Sequence, residues 1–198
     1  MTPFPSSVKT IIFLGPQGSG KGTQVGAVCD YLTRLDLVVA KVETGKPFRE
    51  LSARGGYAAT RVRDYIEVGQ LVPSVITNAL VVRELLDTVA LETHLVLDGY
   101  PRDLAQATIL EEALQFFERT EVMVIHLDTP DDVVTARMLG RGRSDDTETA
   151  IAERLRLYHA LTEPVVAYYR KRPATKFVTI NGALPIAEVT EQIIAHLA

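Results

Sequence analysis

The glycine-rich segment Gly15–Thr23, with the sequence GPQGSGKGT, constrains this chain more than any other feature. It follows an apolar, β-branched run at residues 8–14 and opens a helical pattern, the context in which such a loop cradles phosphates. Glycines let successive backbone N–H groups point at phosphate oxygens, and the following helix N-terminus adds partial positive charge. Lys21 would charge-pair with the β- and γ-phosphates, and Thr23 suits magnesium or phosphate. The motif predicts nucleotide binding, although Gly22 stands where the general pattern has Ser or Thr; the alternative is a glycine-rich turn with an exposed lysine.

Strand-like and helix-like segments alternate along the whole chain. The β-branched, apolar runs lie at residues 8–14, 37–42, 95–97, 122–127 and 176–180. Helical patterns lie between them, at about 21–34, 74–92, 103–118, 131–139, 147–171 and 185–197. This alternation predicts a three-layer α/β/α P-loop NTPase fold, in which a five-stranded parallel sheet is covered by helices on both faces.

Composition narrows the classes of function. The 198 residues are 46% hydrophobic and 23% charged, as in ordinary soluble domains, and a net charge of −4 argues against a broad nucleic-acid surface. No apolar run reaches the ~20 residues of a membrane span. The start, MTPFPSSVKT, lacks the layout of a signal peptide, so a reducing cytoplasm is expected. The single cysteine, Cys29, allows neither an internal disulfide nor a four-thiolate zinc site, and we expect it to be a small apolar residue of the first helix rather than a reactive thiol.

Further motifs follow the phosphate loop in a specific order. They are Thr44-Gly45 with Arg49, Gly69–Pro73 (GQLVP), Asp98–Arg102 (DGYPR) with Gln106, the arginine series Arg137, Arg141, Arg143 and Arg154, and Thr162–Tyr169 (TEPVVAYY). Together with GPQGSGKGT, this series resembles the adenylate kinase family of nucleoside monophosphate kinases from about residue 8 onward. The resemblance implies a core at 8–42, 73–139 and 147–198, a helical insertion for the monophosphate at 43–72 and a short lid at 140–146. It also implies a monomer that transfers a phosphoryl group from Mg·ATP to AMP.

The resemblance implies an acceptor site for AMP. Its residues would be Thr44, Arg49, Gln70, Leu71, Val72, Gly99, Tyr100, Pro101, Arg102, Gln106, Arg143 and Arg154. Arg49 and Arg102 would hold the α-phosphate and Gln106 would hydrogen-bond the adenine edge. The alternative for Arg102 is a surface ion pair with Asp103.

The resemblance also implies a donor site for ATP, formed by Gly18, Ser19, Gly20, Lys21, Gly22, Thr23, Arg137, Arg141 and Leu184. Catalysis would depend on Lys21, Arg102, Arg143 and Arg154. The planar, permanently charged guanidinium of the three arginines suits phosphate oxygens. Magnesium would bind through Thr23, Asp98 and waters, with no zinc. The alternatives are a solvated face for the arginines and a turn cap for Asp98.

Three positions depart from the family pattern and leave alternatives open. Lys46 replaces an aspartate, Glu43 replaces a small hydroxyl residue, and only Gly142 separates Arg141 from Arg143 in the lid. The lid carries no cysteine for a zinc staple. Helix capping explains Asp145 and Asp146, which the resemblance also assigns to orienting the lid.

Other functions remain alternatives at this point. These are a kinase for UMP, CMP or GMP, a non-catalytic adenine-nucleotide sensor, and a simple NTPase switch that would leave the second-site motifs unused. The four histidines have no metal-ligand spacing, so we expect them to be structural or exposed.

Overall fold

The structure, a computed structural model, describes residues 9–197. Its sheet has five parallel strands: β1 (Thr10–Leu14), β2 (Val39–Glu43), β3 (His94–Asp98), β4 (Val122–Asp128) and β5 (Thr175–Asn181), in the order β2-β3-β1-β4-β5. This confirms the predicted fold class. Val8, with which the first strand was predicted to begin, lies outside the described residues, as do the N-terminal segment before it and Ala198.

Nine α-helices lie within the described part of the chain. They are α1 (Lys21–Arg34), α2 (Gly45–Ala53), α3 (Tyr57–Glu67), α4 (Ser74–Thr88), α5 (Leu104–Phe116), α6 (Asp131–Gly140), α7 (Glu148–Leu157), α8 (Glu163–Arg170) and α9 (Ile186–Leu197). A π-helical turn, Tyr158–Thr162, joins α7 to α8. None of these helices is long and apolar enough to cross a membrane.

Alternating side chains of the sheet build two separate cores. Ile12 and Leu14 face one side, where they meet a cluster with helices α4, α5 and α8. Ile11 and Phe13 face the other side, in a cluster with helices α1 and α9. Since both faces are covered, β1 is buried along its whole length, which explains its continuous apolar sequence. Cys29 lies on α1, half-buried against the second cluster, and burial raises the pKa of its thiol.

The segment between β2 and α4 forms a small helical layer of its own. Helices α2 and α3 pack on each other around Phe48, Val62 and Val72. Because this cluster is separate from both sheet cores, α2 and α3 stand at the carboxyl edge of the sheet instead of covering a face.

Two helical predictions differ from the structure. Helix α4 ends at Thr88 rather than at residue 92, because Val89 is extended and Thr93 binds the N–H of Ala90 in a turn. The predicted helix 147–171 is interrupted by the π-helical turn. Pro164 explains this interruption, since it has no N–H to donate and its ring would collide with the carbonyl four residues earlier.

The sheet order determines where the loops meet. In a parallel sheet all carboxyl ends lie on one edge, and a ligand crevice forms where successive connections depart to opposite sides. Here β1 is central, with β3 and β2 on one side and β4 and β5 on the other. The glycine-rich loop after β1 is therefore flanked by the loops after β2 and β3 on one side and those after β4 and β5 on the other.

We predict that Gly69→Ala destabilises the protein by about 2 kcal/mol or more, because overpacking adds to backbone strain. Gly69 has a φ of +78°, and a Cβ there would lie 2.3 Å from the carbonyl oxygen of Ala150 in α7. Gly55→Ala is the matched control, since a Cβ on Gly55 meets no atom within 4 Å. Urea unfolding measures both, and equal effects of the two substitutions would contradict the prediction.

Candidate active site

One cavity of about 970 Å³ opens at the carboxyl edge of the sheet. The loops after β1, β2, β3 and β5 reach it, together with α2, α3, α6 and α7. It brings together nearly all the predicted site residues, namely Gly18, Ser19, Gly20, Lys21, Gly22, Thr23, Thr44, Arg49, Gln70, Leu71, Val72, Asp98, Gly99, Arg102, Gln106, Arg137, Arg141, Arg143, Arg154 and Leu184. Residues from distant parts of the sequence thus share a single concave surface, as a substrate site requires.

The glycine-rich loop forms the floor of this cavity. Gly18 has a φ of +88°, and a Cβ on it would lie 2.9 Å from the carbonyl oxygen of Val134, so only glycine fits there. The loop also carries two buried oxygens with no hydrogen-bond partner in the described structure, Gln17 Oε1 and Ser19 Oγ. Buried polar atoms are normally paired, and both of these residues line the cavity, where a polar ligand could reach them.

Two hydrogen bonds hold the ammonium group of Lys21 within the glycine-rich loop. Its Nζ donates hydrogen bonds to the carbonyl oxygens of Gly15 at 2.8 Å and Pro16 at 2.7 Å. Burial lowers the pKa of Lys21 to about 8, while Asp98 opposes this shift and the charges of Arg102 and Arg141 add to it. A phosphate at this point would replace lost hydration and favour the charged form of Lys21.

The loops after β2 and β3 form one side of the site. Thr44 donates from Oγ1 to the carbonyl oxygen of Gly99 at 3.1 Å, which joins the two loops. Tyr100 does not reach the cavity: its side chain is buried in the core cluster under α4 and α5. Pro101 lines a second, small cavity behind the phosphate loop. Their predicted contacts to AMP stay predictions.

Arg102 is held by three hydrogen bonds that leave the end of its guanidinium available. Its N–H donates to Gln106 Oε1 at 2.8 Å, its carbonyl oxygen accepts from Thr162 Oγ1 at 2.8 Å, and its Nε donates to the Gly99 carbonyl oxygen at 2.7 Å. The ion pair with Asp103 does not form, since Asp103 caps α5. Burial lowers the pKa of Arg102, although Asp98 opposes this, and Arg154 and Arg49 lower it further.

Two acidic residues, Asp145 and Asp146, hold the side chains of Arg141 and Arg154 in place. Asp146 accepts hydrogen bonds from Arg141, whose Nη2 lies 2.8 Å from Oδ1, and from Arg154, whose Nη1 lies 2.6 Å from the same atom. Asp145 accepts from Arg154 Nη2 at 2.6 Å. Capping does not explain these acids, because Thr147 caps α7 with its own hydroxyl. They hold Arg141 and Arg154 instead. The role in orienting the lid that the family resemblance implied stays a prediction.

Helix α6, which follows β4, and the loop after β5 form the other side of the site. Arg137 donates from Nη1 to the carbonyl oxygen of Gly182 at 2.7 Å, which joins α6 to the loop after β5. Leu184 and Ile186 border the cavity beside Arg137 and offer an apolar surface. A flat guanidinium next to apolar side chains is suited to stacking on a planar ring.

Positive charge predominates around the cavity. Its lining holds eight cationic side chains, Lys21, Lys46, Arg49, Arg102, Arg137, Arg141, Arg143 and Arg154, against the three acids Glu43, Asp98 and Asp145. Within residues 9–197, the guanidinium groups of Arg49 and Arg143 have neither a hydrogen bond nor an ion pair. Since the chain as a whole is acidic, this concentration of cations indicates a polyanionic ligand.

Asp98 and Thr23 are the residues that could contact a metal bound to such a ligand. Asp98 ends β3, and its Oδ2 lies 3.5 Å from the point where a Cβ of Gly22 would stand. Two oxygen ligands at a phosphate loop fit Mg²⁺, which retains waters and takes its remaining ligands from substrate phosphates. Among residues 9–197 no group of three or more His, Cys, Asp or Glu side chains could hold a metal ion by itself.

The histidines lie outside this cavity. His94 and His126 are buried, and burial lowers the pKa of each. His126 Nε2 lies 3.0 Å from the hydroxyl of Tyr158 in the π-helical turn. His159 is exposed between Asp131 and Glu163, whose hydrogen bonds raise its pKa.

Sequence reasoning missed a set of residues that support the site without belonging to its motifs. Ser74 and Asp103 hydrogen-bond each other and Gln106, Thr162 binds Arg102, and the Ile66 carbonyl oxygen accepts from Arg154 at 3.3 Å. Thr162 stands in a segment that the sequence singled out, but nothing in the spacing indicated its contact. The other contacts join helices that are far apart in sequence.

Comparisons with known proteins agree with this geometry. The family model described as "Adenylate kinase" matches residues 13–174. Adenylate kinase 1 of Nostoc sp. is 38% identical over 187 residues, which cover 94% of this chain and 97% of the relative. Adenylate kinase of Corynebacterium urealyticum is 37% identical over 94% of this chain and 98% of its own length, and adenylate kinase 1 of Synechocystis sp. is 34% identical over 93% and 95%.

We predict that Asp146→Asn lowers the free energy of unfolding by about 3 kcal/mol at neutral pH, because it leaves buried arginine charge undercompensated. Burial opposes ionisation of Asp146, but hydrogen bonds and charges from Arg141 and Arg154 outweigh it and lower its pKa. The stabilisation is therefore present above the carboxyl's ordinary pKa of about 4 and is lost as the pH falls through the lower folded-state value.

Urea unfolding between pH 7 and pH 3 measures this effect. The difference between wild type and Asp146→Asn should be largest at neutral pH and should shrink on acidification. A difference that stays constant over this range would contradict the prediction.

Proposed function

The chain belongs to the adenylate kinase family, and from this membership we propose that it catalyses reversible phosphoryl transfer from Mg·ATP to AMP, giving two ADP. One observation carries the proposal. A single cationic cavity continues from the phosphate loop to a second set of polar residues and unpaired arginines. A nucleotide switch has no use for that second region, whereas a nucleoside monophosphate kinase must hold two nucleotides with their phosphates facing each other.

The donor would lie on the β4–β5 side of the cavity. Gly18 to Thr23 would bind the phosphates of ATP, Arg141 would reach them from the lid, and its adenine would rest between Arg137 and the segment around Leu184. The hydrogen bond between Arg137 and Gly182 supports this arrangement, because it fixes the plane on which a base would stack.

The acceptor would lie on the β2–β3 side. Arg49 and Arg102 would hold the phosphate of AMP, while Thr44, Gln70, Leu71, Val72, Gly99 and Gln106 would surround its base and ribose. Adenine is favoured because Thr44 and Gln106 are the residue types that relatives acting on UMP or CMP tend to lack. Glu43 pairs with Lys41, and Lys46 lies 3.9 Å from Glu50, so neighbouring residues engage the two unusual charges.

The chemistry would be a direct in-line transfer between the facing phosphates. Lys21, Arg102, Arg143 and Arg154 would compensate the charge on the transferring group, and the rigid hydrogen bonds around Arg102 and Arg154 favour a preorganised site. Thr23 and Asp98 would hold magnesium through waters, and the ion would supply further charge compensation when bound.

We also propose the finer assignments that depend on the family. Residues 43–72 would serve as the monophosphate-binding part and residues 140–146 as the lid, with the core at 8–42, 73–139 and 147–198. The enzyme would act as a monomer in the cytoplasm, with no zinc and with neither nucleic acid nor a membrane as partner. The net charge of −4 supports the absence of a nucleic-acid partner.

An acceptor panel tests the function. Purified protein with Mg·ATP should form ADP from AMP far faster than diphosphates from GMP, CMP, UMP or dTMP, and should hydrolyse little ATP without an acceptor. Lys21→Met should nearly abolish transfer. A preference for another monophosphate would replace the acceptor assignment, hydrolysis alone would favour a switch, and binding without turnover would favour a sensor.

Arginine substitutions test the charge compensation. Arg143→Ala or Arg154→Ala should lower kcat by on the order of 10³-fold, the scale of arginine contributions to phosphoryl transfer. Arg61→Ala is the matched control, since Arg61 is exposed on α3, away from the cavity, where it pairs with Asp64 and lies over the ring of Tyr65. A loss below about tenfold would instead mean that these arginines form a solvated face.

A further inference from the structure

Gln106 is held by hydrogen bonds at both ends of its side-chain amide. Its Oε1 accepts from the N–H of Arg102 at 2.8 Å, and its Nε2 donates to Ser74 Oγ at 3.1 Å. Its side chain is almost fully buried, at 1% exposure, yet it borders the large cavity. The amide is thus fixed in place by groups that belong to the protein.

These partners also determine the orientation of the amide, that is, which side of it carries the oxygen and which the NH₂ group. A backbone N–H can only donate, so the group facing Arg102 must be the oxygen. Ser74 gives its single hydroxyl hydrogen to Asp103 Oδ2 at 2.5 Å, so its lone pairs face Gln106 and require the NH₂ group there. A rotation of the amide by 180° would place donor against donor at one end and lone pair against lone pair at the other.

Asp103 is itself rigidly held. Its Oδ1 accepts from the backbone N–H of Gln106 at 2.7 Å, as the cap of α5. An ionised carboxylate can only accept, so it cannot release Ser74 by donating a hydrogen in return. The chain Asp103–Ser74–Gln106 therefore has one hydrogen-bonding direction.

The fixed amide has one N–H and one oxygen lone pair left over. The edge of a 6-aminopurine offers the complementary pair, an amino donor at position 6 and an acceptor at N1. A 6-oxopurine offers the opposite pair, a carbonyl acceptor and an N1–H donor. An amide that could rotate would accommodate either edge, whereas a fixed amide accepts one and leaves the other with unmatched buried groups.

We propose that Ser74 and Asp103 are positioning residues that set the acceptor's base specificity, by holding Gln106 in the orientation that matches a 6-aminopurine and rejects a 6-oxopurine. The inference rests on the proposed function, with AMP as the acceptor. Neither residue lines the cavity, so both act through Gln106. The specificity arises partly from preventing the wrong hydrogen-bonding pattern.

The test compares AMP with IMP, which have the same ribose phosphate and differ in the base only at position 6 and N1. Ser74→Ala removes the acceptor for Nε2. Asp103→Asn keeps the shape and a good helix cap, but its amide can donate to Ser74 and free the serine hydroxyl to donate to a rotated Gln106. Each variant should lower the AMP-to-IMP ratio of kcat/KM by about tenfold, the effect of removing one buried mismatch.

The decisive readout is the absolute kcat/KM for IMP, which should rise in both variants while that for AMP falls. Each variant removes the mismatch at the Ser74 end, so a rotated Gln106 then faces one mismatch, at the Arg102 N–H, instead of two. Ser74→Thr retains the hydroxyl and should keep the wild-type ratio. Thr108→Ala removes a hydroxyl from an exposed position of α5, where it binds only the Leu104 carbonyl oxygen, and is the matched control.

A parallel loss with both substrates and an unchanged ratio would overturn the proposal. General damage to the structure lowers kcat/KM for both acceptors, whereas the proposal requires the value for IMP to rise. A ratio lowered equally in Ser74→Thr would overturn it as well. If Ser74→Ala does not fold, the kcat/KM values of Asp103→Asn for AMP and IMP are sufficient to test the proposal. Failure of the proposed function would look different, since AMP would then not be the preferred acceptor of the wild-type protein.

Discussion

The mutual repulsion of cations at one edge of the sheet is the constraint on which the rest of this structure depends. Eight cationic side chains border a single cavity in a chain of net charge −4. Such a cluster is stable only when its charges are compensated by acids or exposed to solvent. Asp145 and Asp146 compensate Arg141 and Arg154, while Arg49 and Arg143 remain unpaired. At the unpaired charges, a bound anionic substrate would add most to the charge compensation.

The parallel sheet places one part of this cavity on each side of the glycine-rich loop. Because β1 is central, its phosphate loop is accessible from both sides, and each side is built by a different pair of strands. One hydrogen bond connects the segments on each side. Thr44 donates to Gly99 between the loops after β2 and β3, and Arg137 of α6 donates to Gly182 in the loop after β5. The proposed arrangement of two nucleotides thus follows from strand order as much as from any single motif.

Much of the fold and of the site could be predicted from local sequence. The run Val8–Leu14 followed by glycines predicted β1 and its loop, since continuous apolar character marks a strand buried on both faces. The motif residues could be placed in one site because carboxyl ends of parallel strands share an edge. Local signals did not predict the π-helical turn, although Pro164 marks its position in retrospect.

The supporting contacts could not be predicted because they depend on tertiary packing. Ser74 and Asp103 are 29 residues apart, and Thr162 lies 60 residues from Arg102. Asp145 and Asp146 stand near a helix start, so local reasoning favoured capping until the structure placed Thr147 at the cap. Each of these residues carries a common polar side chain whose partner is determined only when α4, α5 and α7 are packed.

The shortness of the segment between α6 and α7, the proposed lid, has a consequence for how the proposed reaction would be shielded from water. Only seven residues, 141–147, separate α6 from α7, and Arg141, Gly142, Arg143 and Ser144 are exposed. A segment of this length is too small to roof a cavity of about 970 Å³. In the proposed reaction, each bound nucleotide would therefore supply part of the wall that keeps bulk water away from the other, and the site would be closed only when both are present.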